Sequence, residues 1–134
     1  MPETIIFPDA TLTTVVYITA QLLLRGDTTA VRTRVPDARP TRLVRVERVG
    51  GVKTNEVTDS AILTVECWAA TESEAQSLGQ LVRGLIFAMK GTTQTGVTVY
   101  LVQEVGGLAH LPDPDTEHPR YIFTAQIGLR GVAG

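Results

Sequence analysis

The feature that most limits the possible folds is a strongly patterned helix between two alternating segments. Thr71 is followed three residues later by Glu74, the signature of a capping box at the start of a helix. Residues 61–69 and 97–105, on either side, alternate apolar and polar side chains, as half-buried strands do. The helix is predicted from Thr71 to Met89 because apolar residues recur every three or four positions: Ala75, Leu78, Leu81, Val82, Leu85, Ile86 and Met89.

A first helix is predicted over residues 11–25, where an apolar segment ends on a cation before Gly26. The β-branched residues within 15–18 make a strand a competing interpretation of this element. The apolar positions predict a mostly buried helix, and they are Leu12, Val15, Val16, Ala20, Leu22, Leu23 and Leu24.

Further strands are predicted at 30–35, 42–49 and 120–130. Helix, strands, helix and strands in this order predict an α+β fold, with a mostly antiparallel or mixed sheet and two main helices on one face. At 134 residues and 43% hydrophobic content, the chain has the size of one domain, so residues 1–134 are predicted to form a single unit.

Composition excludes several broad functions. The net charge of -2 provides no overall attraction to nucleic acid or anionic lipid. The apolar segment 15–24 is too short to cross a bilayer, and no basic segment precedes it as in a secretory signal. Cys67 is the single cysteine and lies on an alternating strand, where a buried, inert thiol is expected.

Basic residues are concentrated in one part of the chain. Eight of the twelve Lys and Arg residues fall between Arg25 and Lys53, around a stiff proline turn at 36–40 and a strand predicted to end at the glycine pair 50–51. A long loop with an acidic arm is predicted at 106–119. The basic residues either face solvent or pair with the acidic arm of an adjacent copy. The candidate subunit contacts are Arg42, Arg45, Glu47, Arg48, Asp113, Asp115, Glu117 and Arg120.

No catalytic residue, cofactor site or metal site is predicted. The glycine pairs 50–51 and 106–107 lack the strand-to-helix setting and the spacing of phosphate-binding loops, so they are interpreted as turn glycines. One group of imidazoles and carboxylates resembles a set of metal ligands, but its spacing matches no known cage and it lacks the glycine of an EF-hand-type loop. A solvated loop is therefore predicted for these residues, which are His110, Asp113, Asp115, Glu117 and His118.

Short motifs follow one another along nearly the whole chain. They are a Val-Pro…Arg-Pro turn at 35–40, Val-Arg-Val-Glu-Arg-Val-Gly-Gly at 44–51, Asp-Ser-Ala at 59–61, Trp-Ala at 68–69, Leu-Val-Arg at 81–83, Val-Gly-Gly at 105–107 and a Pro-Asp-Pro…Pro-Arg-Tyr ending at 112–121. In this order they resemble the tail terminator, or tail completion, proteins of long-tailed phages, particularly phages of actinobacteria.

The resemblance implies a virion structural protein and not an enzyme. Such subunits are expected to form a homohexameric ring that caps the tail tube protein, stops tube polymerisation and joins the head-side connector or stopper protein. DNA would pass through the ring without sequence-specific binding, and no membrane would be involved. The protein would assemble in the host cytoplasm and lie at the head-proximal end of the virion tail. Polar loops such as 50–59 are the predicted contacts to the tube or connector.

Three alternatives remain open at this point. Another neck component, such as a stopper or head–tail joining protein, is also a small ring-former, although a stopper is expected to be a small β-barrel. A small enzyme would have to draw its base from His110 or His118, the two histidines of the chain. A small non-viral homo-oligomeric binding module is the third alternative.

Overall fold

The computed structural model describes residues 4–55, 57–94 and 96–133. Its elements in chain order are β1 Ile5–Ile6, α1 Ala10–Leu24, β2 Ala30–Arg32, β3 Leu43–Asn55, β4 Thr58–Trp68, α2 Glu72–Ala88, β5 Thr93–Gln94, β6 Val97–His110, β7 Arg120–Arg130 and β8 Val132–Ala133.

The main sheet has six strands in the order β2-β3-β4-β7-β6-β5. Its pairs are antiparallel, except that β2 runs parallel to β3. A separate two-stranded sheet joins β1 to β8. The prediction of a single-domain α+β fold with a mixed sheet is therefore confirmed.

Both helices pack on the same face of this sheet. Alternate residues of the strands point toward the helices and form one core with them. Its central members include Ile18 and Leu22 from α1, Leu63 and Val65 from β4, Val82 and Ile86 from α2, and Phe123 and Ile127 from β7. Within the described ranges, neither helix combines the length and the hydropathy needed to cross a membrane.

The capping box predicted for the second helix is confirmed. Thr71 is the N-cap of α2, and its side chain accepts a hydrogen bond from the backbone N–H of Glu74 at 3.2 Å. Glu72 and Glu74 place negative charge in the first turn, where it interacts favourably with the positive end of the helix dipole.

The prediction that α1 is mostly buried is wrong. The helix begins after Asp9, whose side chain accepts a hydrogen bond from the N–H of Leu12 at 3.0 Å. Two threonines occupy inward positions, because the hydroxyls of Thr13 and Thr14 donate to backbone carbonyls one turn earlier at 2.9 and 2.8 Å. A threonine whose hydroxyl is satisfied in this way can be buried, and apolar side chains are left outside. The exposed apolar residues of α1 are Leu12, Val16, Ala20, Leu23 and Leu24.

Neither glycine pair ends its strand, so their interpretation as turn glycines is wrong. β3 continues through Gly50 and Gly51 to Asn55, with a register shift between Arg48 and Gly50. β6 likewise continues beyond its glycine pair to His110, again with register shifts. These glycines lie at β-bulges, where an extra residue bends a strand without ending it. The loop predicted at 106–119 is consequently shorter and covers 111–119.

Candidate interaction surfaces

The arginines proposed as subunit contacts are held by carboxylates of the same chain. Arg42 Nη2 lies 2.8 Å from Asp27 Oδ2, and Arg42 Nε donates to the Thr29 hydroxyl at 2.6 Å. Burial acts to raise the pKa of Asp27, but hydrogen bonds from Arg42 and Thr29 and the charge of Arg42 outweigh it, so this pKa is lowered. This pair connects the residue that precedes β3 to the turn that follows α1.

A second network lies on the sheet face that carries no helix. Arg45 Nη1 contacts Glu66 Oε1 at 2.9 Å, and Arg120 Nη1 contacts Glu66 Oε2 at 3.1 Å. Arg45 also binds Glu47 at 2.5 Å. The Glu66 side chain is only 7% exposed, so its charge requires these partners to remain inside the fold.

Arg48 forms a two-pronged pair with Asp59 on the helix-bearing face. Nη1 and Nη2 of Arg48 lie 2.7 and 3.0 Å from the two oxygens of Asp59. The hydrogen bonds to Asp59 raise the pKa of Arg48 despite partial burial. Arg48 and Asp59 belong to adjacent strands of the β3–β4 hairpin.

The acidic arm is folded on itself. The Asp113 carboxylate accepts from the N–H of Asp115 at 2.9 Å, and the Asp113 carbonyl accepts from the N–H of Glu117 at 2.7 Å. Arg120 Nε donates to the carbonyl of Leu111 at 2.9 Å. Hydrogen bonding by the Asp115 N–H lowers the pKa of Asp113. The side chains of Asp115 and Glu117 are exposed.

The proline turn and the acidic arm meet over Trp68. Arg39 Nη2 contacts His118 Nδ1, and the guanidiniums of Arg39 and Arg120 lie 5.8 and 5.7 Å from the centre of the Trp68 ring. The buried Trp68 indole N–H has no acceptor at standard hydrogen-bond geometry, although it is close enough to Asp113 to help lower that pKa. The basic and acidic segments are therefore brought together within one chain, and their pairing between copies stays a prediction.

The remaining candidate side chains lie apart from one another. His110 stacks on Tyr121 at 5.0 Å, and its Nδ1 is 3.5 Å from Glu72 Oε1. Cys67 is fully buried, and burial raises the pKa of its thiol. Within the described ranges, no three His, Cys, Asp or Glu side chains are grouped as metal ligands would be, and no pocket is found.

Two long strand edges are open on opposite sides of the sheet. β2 covers β3 only at Leu43–Arg45, and β5 covers β6 only at residues 97–98. Val99 is also covered, because its N–H donates to the carbonyl of Thr92 at 3.0 Å and its carbonyl accepts from the N–H of Gly91 at 2.7 Å. Residues 46–52 of β3 and 100–108 of β6 therefore have a sheet partner on one side only, as far as the described residues show. Val52, on the first of these edges, is 70% exposed. Open edges with exposed apolar side chains are surfaces to which another strand can pair.

The exposed residues of α1 form a third surface, the α1 stripe, defined by Leu12, Val16, Ala20, Leu23 and Leu24. Their spacing of three, four or one residues puts them along one side of the helix. Leu24 is 78% exposed. The sequence signal for this surface is the absence of charged residues throughout α1, although the apolar positions alone predict burial in this chain's own core.

In comparisons with known proteins, the chain matches no family model and no curated protein.

Proposed function

We propose that this chain is a phage tail terminator, a subunit of a ring that caps the tail tube and joins it to the head-side connector. The ordered motifs from the Val-Pro turn at 35–40 to the Pro-Arg-Tyr segment at 119–121 support this proposal through their resemblance to that family. The α+β fold with two helices on one sheet face is the fold that the resemblance implies.

The observation that carries the proposal is the exposure of contact surfaces on a small folded domain. Two open strand edges and the α1 stripe present apolar side chains and unused sheet-pairing positions to the outside. Contiguous exposed apolar surface of this kind marks interaction sites. A subunit that has to contact its neighbours, the tube and the connector needs several such surfaces at once.

The mechanism is geometric. The ring binds the last layer of the tube through one face, and its opposite face lacks the pairing surface of the tube protein, so that growth stops. The polar tip of the β3–β4 hairpin, within residues 50–59, is the proposed contact with the tube or connector. The helix-free sheet face carries uncharged polar residues such as Thr64, Thr124 and Gln126. Beside them lie the arginines and glutamates of the Glu66 network, whose opposite charges are paired within the chain, and this mixture suits a surface that DNA passes without being read.

An open sheet with two helices favours a terminator over a stopper, because the stopper is expected to be a small β-barrel. The test is electron microscopy of particles produced without this gene, with the intact gene supplied in trans as the control. A terminator predicts over-long or headless tails that return to normal length on complementation. Normal tails on complete particles would contradict the proposal.

A further inference from the structure

The two open edges of the main sheet run in opposite directions, as the partners of an antiparallel pair do. β3 is antiparallel to β4, β4 to β7, and β7 to β6. β6 therefore runs opposite to β3. When copies are arranged side by side with their strands in the same orientation, the β6 edge of one copy faces the β3 edge of the next as an antiparallel pair.

The open parts of the two edges also lie at the same height in the sheet. Gly50 pairs with Ile62, Ile62 with Gln126, and Gln126 with Gln103. Two residues further along β3, Val52 is level with Leu101, because Val52 pairs with Ser60, Ser60 with Gly128, and Gly128 with Leu101. β2 covers only the end of β3 near Leu43, and β5 covers only the end of β6 near Val97. The uncovered parts of β3 and β6, here called the open window, therefore lie at the same level of the sheet.

The side chains in this window are complementary. On the helix-bearing face, Arg48 is level with Glu104 through Leu63 and Ala125. The side chains of Arg48 and Glu104 are each about one-third exposed, so they can approach each other while keeping their intramolecular partners. Val49 and Val105 lie at the bulges of the two edges, and both are exposed. Val49 and Val105 lie on either side of the Arg48–Glu104 level, so they would be diagonal neighbours across the contact, while the cation would lie opposite the anion.

We propose that copies of this chain join head to tail by pairing the β6 edge, residues 100–108, with the β3 edge, residues 46–52, of the next copy. The six-stranded sheets then form one continuous wall, with the helices on one side and the helix-free face on the other. Such a contact uses two different surfaces of each subunit, and it closes into a ring when the rotation between copies divides a full turn. This inference rests on the proposed function only in requiring a ring.

Engineered disulfides test this pairing directly. Within one chain, Gly50 and Gln103 lie on strands separated by two others, or about 14 Å apart at the usual strand spacing, which is too far for a disulfide. Across the proposed contact they become neighbours. The double variant carries Gly50→Cys and Gln103→Cys. The fold should tolerate both substitutions, because Gln103 is exposed and a Cβ on Gly50 meets nothing within 4 Å.

Mild oxidation of the double variant should give a ladder of covalent oligomers on a non-reducing gel, reaching the size of the native ring. A matched control combines Gly50→Cys with Ala109→Cys, because Ala109 is exposed but is level with Arg45, several residues lower in the sheet. This control and both single variants should stay uncrosslinked. The native Cys67 is fully buried and remains silent.

The possible outcomes distinguish a failure of the proposed edge pairing from a failure of the proposed ring. A native ring of unchanged mass with no ladder in the double variant overturns the proposed edge pairing and leaves the terminator proposal intact. A dimer formed by Gly50→Cys alone shows that two β3 edges meet, and it also overturns the head-to-tail arrangement. A strictly monomeric native protein contradicts both the edge pairing and the ring.

Discussion

Gly51 provides the sharpest test of how the long hairpin is built. It lies in β3 with φ of +106°, a conformation that residues with a side chain rarely adopt. A Cβ added there would overlap the carbonyl oxygen of Ser60 and would lie 2.9 Å from Ala61 Cα. These are backbone atoms of the partner strand β4, so they move only if the hairpin opens. The neighbouring Gly50 has no atom within 4 Å of its added Cβ, which makes it a matched control.

The cost of Gly51→Ala follows from two terms. The unfavourable φ costs about 1–2 kcal/mol. Separating β3 from β4 to relieve the overlap sacrifices at least one ladder hydrogen bond, or about 1 kcal/mol. Gly51→Ala should therefore lower the free energy of unfolding by about 2–3 kcal/mol, whereas Gly50→Ala should change it by less than about 1 kcal/mol.

Urea unfolding followed by fluorescence measures both variants, because the single Trp68 is buried and lies at the other end of β4. Wild type and variants should be compared at one protein concentration, since association stabilises the folded state. If the two alanine variants differ by less than about 0.5 kcal/mol, the backbone conformation and close approach to β4 given for Gly51 are refuted.

Four further substitutions test three local features, and each is measured by urea unfolding. Thr71→Ala removes the N-cap bond of α2 and should cost about 1 kcal/mol, and no change would show that the cap is not needed. Asp27 has a lowered pKa in the fold, so its pairing with Arg42 stabilises above the unfolded pKa of about 3.9 and is lost as pH falls through the lower folded value. Asp27→Asn should accordingly be less stable than wild type at neutral pH, with a difference that shrinks below about pH 4, whereas a pH-independent difference would contradict the pairing. Leu24→Lys should change stability by less than about 0.5 kcal/mol, whereas Leu22→Ala, one position earlier and fully buried, should cost about 2–5 kcal/mol. Equal losses would contradict the orientation of α1.

Periodicity was sufficient to predict the fold class and most of the elements. The α2 prediction succeeded because the capping box and the apolar stripe agree, and the last strand was predicted at its observed bounds, Arg120–Arg130. The orientation of α1 was not predictable in the same way. Apolar residues occur on nearly every side of this helix, so periodicity did not identify the inward face, and the threonine hydroxyls bonded to the backbone determine which side is buried.

The charged candidates show the other limit of sequence reasoning. Local spacing does not reveal that Arg45 meets Glu66 or that Arg48 meets Asp59, because these pairs depend on the register of the β3–β4 hairpin. The prediction that the strand ends at the glycine pair 50–51 is wrong, and it leaves out the part of the hairpin between Gly50 and Asn55. In the structure β3 continues through the bulge at Val49, and Arg45 and Arg48 pair with carboxylates of their own chain. The longer β3 also presents the open edge at residues 46–52.

We propose that identical copies of this chain close into a ring whose role is geometric. Its most direct test is the mass of the purified native protein by light scattering over a wide concentration range. A homohexameric ring would give one closed species of about six times the 14.4 kDa of a single chain, with a mass that does not grow as concentration rises. A protein that stays at the mass of one chain at the highest concentration would contradict the claim.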